Sequence, residues 1–415
     1  MQDDSLGLKK LNKYDIHWIL SIYGSAIGAG ILFLPIESGI GGLLTFVMLL
    51  GLAFPTTYLS HKYLSYLILN SKNKNYDIVY GLTHSFGKYL GGFLLFLYFL
   101  DVFPLLIIYA VSLINNIDHI STNLLNITTP PVWISLLFIT SLLLLLVNIG
   151  KDFIAKLISF LVVPLIVFLA IFSLAIIPFW NGAIFTDFSI SNINILENNN
   201  LVKSSWLTIS LMIFSFSYSF IVSPFVSSTK SRYGEFADKK INDILFYASL
   251  LIIATALLFV FSCAMILTST DFALVKEQNI NILDYFSQKL DNPILKYTSS
   301  IFAFIAIFTS FVGLLLSAKE SLANLFLKIS SKKYNNPLST IFLLLFICII
   351  STTNPNILNI IEFIEGPIVA ILFFIMPTYA LYRIPQLKKY RSAPTDIFLI
   401  IIGLLAISTS FSFFT

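Results

Sequence analysis

The sequence predicts an all-α polytopic membrane protein of eleven transmembrane helices. Three observations carry that reading. The 415 residues are 57% hydrophobic and only 11% charged, against about 25% charged in a soluble domain. Apolar runs of about 20 residues, the length that crosses a bilayer as a helix, recur along the chain. The basic residues are also unevenly shared between the connections. With the N-terminus in the cytoplasm, only Lys203, Lys276, Lys289 and Lys296 of the 25 Lys and Arg residues face outward, which is the charge bias that sets membrane orientation. An odd number of spans then puts Thr415 outside.

Span 1 covers Asp15 to Ser38, span 2 Gly42 to Leu69, span 3 Tyr89 to Asn116 and span 4 Pro131 to Asn148. Span 5 covers Phe153 to Pro178, span 6 Ser204 to Thr229 and span 7 Asp243 to Thr268. Span 8 covers Leu295 to Lys319, span 9 Leu338 to Thr353, span 10 Asn356 to Arg383 and span 11 Thr395 to Phe414. The first apolar segment leads straight into the next span without a small-residue cleavage site, so no cleaved signal peptide is expected. The longer outer connections are Phe179 to Lys203 and Asp271 to Asn292. The second carries Ile280, Ile282, Leu283, Tyr285 and Phe286 and is expected to lie on the surface as a short amphipathic helix. Asn354-Pro355-Asn356 is expected to form a tight outer turn.

Span 1 contains Gly24-Ser-Ala-Ile-Gly-Ala-Gly-Ile-Leu-Phe-Leu-Pro35. Each glycine inside a helix costs about 1 kcal/mol relative to alanine, so three in seven residues predict a break. Close helix packing through Gly24 and Gly28 is the alternative use of the same residues. Span 6 has a matching irregularity. Serines alternate through Phe214-Ser-Phe-Ser-Tyr-Ser219 and compete for backbone hydrogen bonds, and Pro224 removes a donor. Counting five spans on from span 1 reaches span 6 with opposite direction. The topology therefore predicts a five-plus-five inverted repeat with broken helices 1 and 6: residues 1–190 as the first repeat, 191–390 as the second, and 391–415 as an extra span 11. Breaks in corresponding positions of two halves point to a transport site near mid-membrane.

Several polar residues fall in apolar surroundings. Asp101 lies mid-span 3, and an ionisable residue at that depth is a candidate for proton relay or ligand contact, or a structural hydrogen-bond partner. Tyr109, two helical turns further out, is a candidate to offer its hydroxyl to a ligand, or packs in the core. Glu362 and Glu365 sit at i, i+3 spacing in the outer part of span 10. They are read as groups that line an outer vestibule or exchange protons, or as solvated interface residues; Glu37 carries the same reading. His17, His61, His84 and His119 are placed near span ends or loops as solvated or packed residues, not metal ligands. In span 8, Ala306, Thr309 and Ser310 share a helical face and supply hard oxygen ligands, although hydroxyls in helices also bond back to their own backbone.

Cys263 and Cys348 both lie in apolar segments, so no disulfide framework is implied. Enzyme signatures are absent. The run Gly81 to Lys88 has the wrong glycine spacing for a phosphate-binding loop, and Tyr89 stands where Ser or Thr is required. No cofactor, no nucleic-acid partner and no metal beyond a possible sodium ion are expected; the lipid bilayer is the expected environment. No ring of like charges or filter loop points to a channel.

The glycine-rich run of span 1 resembles the opening of the hydroxy/aromatic amino acid permease family, and most closely its bacterial serine and threonine transporter branch. The similarity continues through Ile149-Gly-Lys-Asp152, Ile177-Pro-Phe-Trp-Asn181, Phe214-Ser-Phe-Ser-Tyr-Ser219, Ile221-Val-Ser223, Asn354-Pro-Asn-Ile-Leu358, Ile361-Glu362 and Gly366-Pro367. It covers nearly the whole chain. The resemblance implies a multi-pass permease of the bacterial inner membrane, related to the amino acid–polyamine–organocation superfamily, that imports a small hydroxy amino acid by cation symport. It implies that backbone N–H groups of Ala29 and Gly30 hold the substrate carboxylate. The carbonyls of Ala26, Phe214 and Ser215 would hold its amine, with Ser217 adding a hydroxyl. It also implies a sodium site made by the carbonyls of Gly24, Ile27 and Ala306 and the hydroxyls of Thr309 and Ser310.

The chain departs from that branch in one respect. The branch tends to carry a lysine near the position of Thr309, and this sequence has none; it has Asp101 at a position not typically acidic there. Five neutral oxygens favour sodium over a proton, while Asp101 and Glu362 are the proton-coupling candidates. An aromatic amino acid permease, a passive channel and a non-transporting sensor on the same fold remain the rival readings. Phe214, Phe216, Tyr218 and Phe220, read as crowding the site, favour a small substrate side chain.

Overall fold

The computed structural model describes residues 11–70, 78–149, 151–186, 199–290, 292–330 and 337–413. Among the described residues the chain is all-helical, with no strand. The helices follow the apolar runs closely because in lipid the backbone must satisfy its own polar groups. In chain order they are α1 (Lys13–Ala26), α2 (Ala29–Ile40), α3 (Gly42–Leu69), α4 (Ile78–His119), α5 (Val132–Ile149), α6 (Lys151–Ala175), α7 (Ala183–Thr186), α8 (Asn199–Ser215) and α9 (Ser219–Tyr233). There follow α10 (Ala237–Ala264), α11 (Ser269–Gln278), α12 (Ile282–Lys289), α13 (Pro293–Ser330), α14 (Pro337–Ser351), α15 (Ile357–Arg383) and α16 (Ala393–Ser408).

Among the described residues, six helical stretches are long and apolar enough to cross a membrane by themselves, and seven if the bent pair α1 and α2 forms one span. One of the six, Val202–Ala264, runs to 63 residues. It contains α8, α9 and α10, separated at Phe216–Tyr218 and by Gly234 in the left-handed region (φ +56). Val132–Leu145 and Val163–Phe179 are shorter apolar helices.

Local sequence explains the punctuation. Asn12 caps α1: its side chain accepts from the N–H of Tyr14 and Asp15, and Asp15 reaches back to the Asn12 N–H. Asp15 also takes Lys240 of α10 at 2.7 Å, with both side chains buried, so the start of span 1 is tied to span 7. In α4 the backbone turns at Gly87 (φ +78), a conformation that costs glycine little. Asn354 adopts φ +45 in the turn before α15. Asn279 donates to the Asn354 side chain and the Pro355 carbonyl, which holds this predicted turn.

The connection from Asp271 to Asn292 differs from expectation. It forms two helices, α11 and α12, and Ile282, Leu283 and Phe286 are buried at or below 1% exposure. The amphipathic face is real, but it packs on α2 and α13 instead of lying on the surface. The physical reason is that α2 and α13 already present an apolar surface there. Part of the Phe179 to Lys203 connection lies outside the described residues.

Span 10 is a helix with two wider turns, at Ile361–Glu365 and Ile371–Ile375. Each precedes a proline by a residue or two, Pro367 and Pro377, whose missing N–H removes a helical bond. In the first, Gly366 N–H reaches back five residues to Ile361, so the carbonyls of Glu362 and Phe363 lose their usual partners. Thr409 and Ser410 at the end of span 11 donate to these two oxygens at 2.7 and 2.9 Å. The last span therefore completes the backbone of span 10.

Candidate functional site

Both predicted breaks exist and meet at one cavity. Span 1 is interrupted at Ile27 and Gly28, and its halves are bent by 58°. Span 6 is interrupted at Phe216–Tyr218. A helix that starts at Ala29 has its first N–H groups without helical partners, and one that ends at Ala26 has free terminal carbonyls. The break therefore faces two kinds of backbone group toward one space: N–H groups that favour an anion and carbonyls that favour a cation.

The cavity has a volume of about 240 Å³. Gly24, Ser25, Ala26 and Gly30 of span 1 line it, with Phe214, Ser215, Ser217, Ser219 and Phe220 of span 6. Asp101 and Tyr109 of α4, Thr309 and Ser310 of α13, and Glu365 of α15 complete the polar part of the wall.

Glycine makes the close approaches. A Cβ on Gly30 would lie 2.7 Å from the Ser215 Cα, so spans 1 and 6 touch backbone to backbone there. Ser215 Oγ donates to the Gly30 carbonyl at 2.9 Å and locks the two breaks together. A Cβ on Gly28 would lie 2.6 Å from Ser310 Oγ and 3.3 Å from Tyr109 Oη. Bare backbone at Gly28 therefore sits against two hydroxyls.

The interruption of span 6 is held by His61 of α3. The Tyr218 N–H donates to His61 Nε2 at 3.0 Å, and His61 Nδ1 lies 2.8 Å from the Thr57 carbonyl. Nε2 therefore accepts and Nδ1 carries the proton, a neutral imidazole. The ring stacks on Tyr218 with centroids 3.6 Å apart.

The chain matches the tryptophan/tyrosine permease family over residues 16–411. It belongs to this family. The permease is similar to the serine transporter SdaC of Escherichia coli K12, 36% identical over 407 residues, covering 96% of this chain and 94% of that one. It is also similar to the threonine/serine transporter TdcC of Yersinia enterocolitica, 36% identical over 422 residues, covering 96% and 95%. Among solved structures, it shares its fold with the Eremococcus coleocola manganese transporter crystallised with an aromatic bis-isothiourea substituted compound. The TM-score is 0.62 at 16% identity, covering 96% of this chain and 86% of that one.

Of the residues singled out in the permease sequence, Gly24, Ala26, Gly30, Phe214, Ser215, Ser217, Tyr109, Thr309, Ser310 and Asp101 line the cavity together. Ala29, Ile27 and Ala306 sit just behind the wall, buried. The Phe214 carbonyl accepts from the Ser217 N–H at 3.1 Å, and Thr309 Oγ1 donates to the carbonyls of Ile305 and Ala306. Phe214 and Phe220 crowd the cavity as expected, whereas Phe216 and Tyr218 turn into the core on the far side of the break.

His61 takes the packed alternative: it is buried within α3, away from any loop, and holds the span 6 break. Two expectations are corrected. Glu37 and Glu362 are not solvated. Both are buried and share Lys276 of α11, at 2.5 and 3.5 Å, while Ser204 at the start of span 6 donates to Glu37. Burial pulls the Lys276 ammonium down, but Glu37 and Glu362 outweigh it and hold it above its ordinary range. Glu362 thus lies outside the cavity, and Glu365 enters it instead. The wide turn at Ile361–Glu365 sets this rotation, and the Gly366-Pro367 pair is its sequence signal.

Proposed function

We propose that this protein is a secondary active transporter that imports a small hydroxy amino acid, serine first and threonine second, together with a cation, sodium (Na+) or a proton (H+). The observation that carries the reading is the meeting of two interrupted helices at one cavity, with half-helix N–H groups and half-helix carbonyls on the same wall. An amino acid has a carboxylate and an ammonium a few bonds apart, and this wall offers a complement to each.

In this reading the N–H groups of Ala29 and Gly30 hold the carboxylate. The carbonyls of Ala26, Phe214 and Ser215 hold the amine, and Ser217 and Tyr109 meet the side-chain hydroxyl. The carbonyls of Gly24, Ile27 and Ala306 with the hydroxyls of Thr309 and Ser310 form the sodium candidate. Asp101 in the wall and Glu362 beyond it are the acidic candidates for coupling. The chain crosses the bacterial inner membrane eleven times, as two inverted repeats of five spans, residues 1–190 and 191–390, and a last span at 391–415. Its N-terminus is cytoplasmic and its C-terminus outside.

Relatives named as serine and threonine/serine transporters support the substrate class. Uptake of labelled serine into vesicles, with sodium and pH gradients imposed separately, tests the reading. Concentrative uptake under one gradient, collapsed by an ionophore for that ion, is expected. Uptake that only equilibrates serine across the membrane would make the protein a passive channel.

A further inference from the structure

The cavity wall between α4 and α15 carries two carboxyl groups. Asp101 is 2% exposed and Glu365 0%, and both line the cavity. Oδ2 of Asp101 and both carboxyl oxygens of Glu365 have no hydrogen-bond partner.

The arrangement is built, not incidental. The wide turn at Ile361–Glu365 swings Glu365 inward, and Thr409 and Ser410 satisfy the carbonyls that this turn frees. A Cβ on Gly366 would lie 2.5 Å from the Ser210 Cβ, so span 10 is pressed against span 6 beside Glu365. Wide turns of this kind concentrate at functional positions.

The charged and titratable groups nearby do not neutralise the pair. On α4, Tyr109 is two turns outward from Asp101, and His119 at the outer end is engaged by Asp284 and Ser287. On α15, Glu362 is held by Lys276, which also serves Glu37. On α16, Asp396 is held by Tyr63 and Tyr382. On α8, Lys203 is exposed.

We infer that Asp101 and Glu365 form a two-carboxyl proton site that opens on the substrate cavity. The inference rests on the transport reading and names the group that would couple it to protons. Two ionised carboxylates on the wall of one buried cavity repel, so one of them takes a proton. The pair passes between one bound proton and none, or between two and one; it titrates as a unit, not as two separate residues. One proton enters from the water that fills the cavity on one side and leaves to the water on the other, with no other bond made or broken. A divalent metal is a poorer occupant, because among the described residues no third His, Cys, Asp or Glu joins the pair.

The experiment reads protonation and transport separately. Infrared spectra of the purified protein in lipid, taken across a pH series, report the carbonyl band of protonated carboxylic acids without any need for transport. Wild type is expected to show a band that Glu365→Gln removes and Asp101→Asn shifts. Spectra of the three proteins that superimpose at every pH overturn the inference, whatever the protein carries. In proteoliposomes, a pH gradient is expected to drive serine accumulation by wild type but not by either variant. Whatever serine exchange the variants retain is expected to lose its dependence on pH. Loss of exchange with the infrared band intact overturns the inference in favour of a site for the substrate ammonium.

Discussion

Lys276 Nζ stands 2.5 Å from Glu37 Oε2 and 3.5 Å from Glu362 Oε1, so one ammonium closes two buried carboxylates. Glu37 lies in the last turn of α2, Glu362 lies one turn before Glu365 in α15, and Ser204 adds the start of span 6. Three cavity-forming spans are therefore clamped to the connecting helix α11. Lys276 is a quarter exposed, so removing it strands two buried carboxylates at a cost below the ~3–5 kcal/mol of a fully buried pair. Lys276→Met is expected to lower the melting temperature of the purified protein by several degrees. The triple variant Glu37→Gln, Lys276→Met, Glu362→Gln is expected to recover most of that loss. A triple variant no more stable than the single one would mean that the clamp acts through packing.

The same cluster sets a pH dependence. The Lys276 ammonium is held above its ordinary value of 10.5 once its carboxylate partners outweigh burial. A cationic group whose value rises on folding contributes stability that is complete below its unfolded value and lost as pH climbs through the folded one. The contribution of Lys276 is thus complete through neutral pH and is lost in the alkaline range above 10.5. Melting temperature against pH should fall more steeply there for wild type than for Lys276→Met.

His61 offers a test of the span 6 break. His61→Phe keeps an aromatic ring against Tyr218 and removes the acceptor for its N–H. A buried donor left unsatisfied costs about 1–3 kcal/mol. Faster hydrogen exchange at the Tyr218 amide and weaker serine binding are the expected results, with the rest of span 6 unaffected. Unchanged exchange at Tyr218 would show that another group holds the break.

At Gly30, spans 1 and 6 meet backbone to backbone. Gly30→Val is expected to abolish serine uptake while the protein still reaches the membrane. The sequence alone offers one reason, that a branched side chain crowds the half-helix donors. The fold supplies a stronger one, that a Cβ would meet the Ser215 backbone at 2.7 Å. Backbone cannot swing aside as a flexible side chain can. Ser215→Ala, which loses only the bond to the Gly30 carbonyl, should reduce uptake without abolishing it. Equal loss in both variants would place the effect in that hydrogen bond.

The contrast between these residues explains what could be read from the chain. The helices were legible because apolar length decides them, and the breaks because Gly24, Gly28, Gly30, the alternating serines and Pro224 act on their own backbone. His61 was not legible as a site residue. Its partner Tyr218 is 157 positions away, and nothing beside His61 in the chain shows what it meets. Glu362 and Glu365 were legible as an acidic pair at helical spacing, but not which of them enters the cavity. A regular helix would point them to nearly the same side; the wide turn before Pro367 separates them. The burial of α12 was missed for a related reason, since an amphipathic stretch does not say whether lipid, water or protein will cover its apolar face.

The last prediction separates the two ions. Thr309 and Ser310 reach the cavity through hydroxyls, and the free carbonyls of span 1 lie opposite. Neutral oxygens can replace the water shell of a sodium ion but cannot accept a proton near neutral pH. Thr309 Oγ1 gives its own proton to Ile305 and Ala306, which leaves its lone pairs facing outward for a cation. Carboxyl groups behave in the opposite way: buried, they favour the protonated form. Any sodium response of serine uptake should therefore vanish in Thr309→Ala, Ser310→Ala and survive Asp101→Asn. The response to a pH gradient should do the reverse. Uptake in vesicles with each gradient imposed alone measures both. If Asp101→Asn removes the sodium response, or the double alanine variant removes the proton response, the two ions share one site and the assignment of separate sites fails.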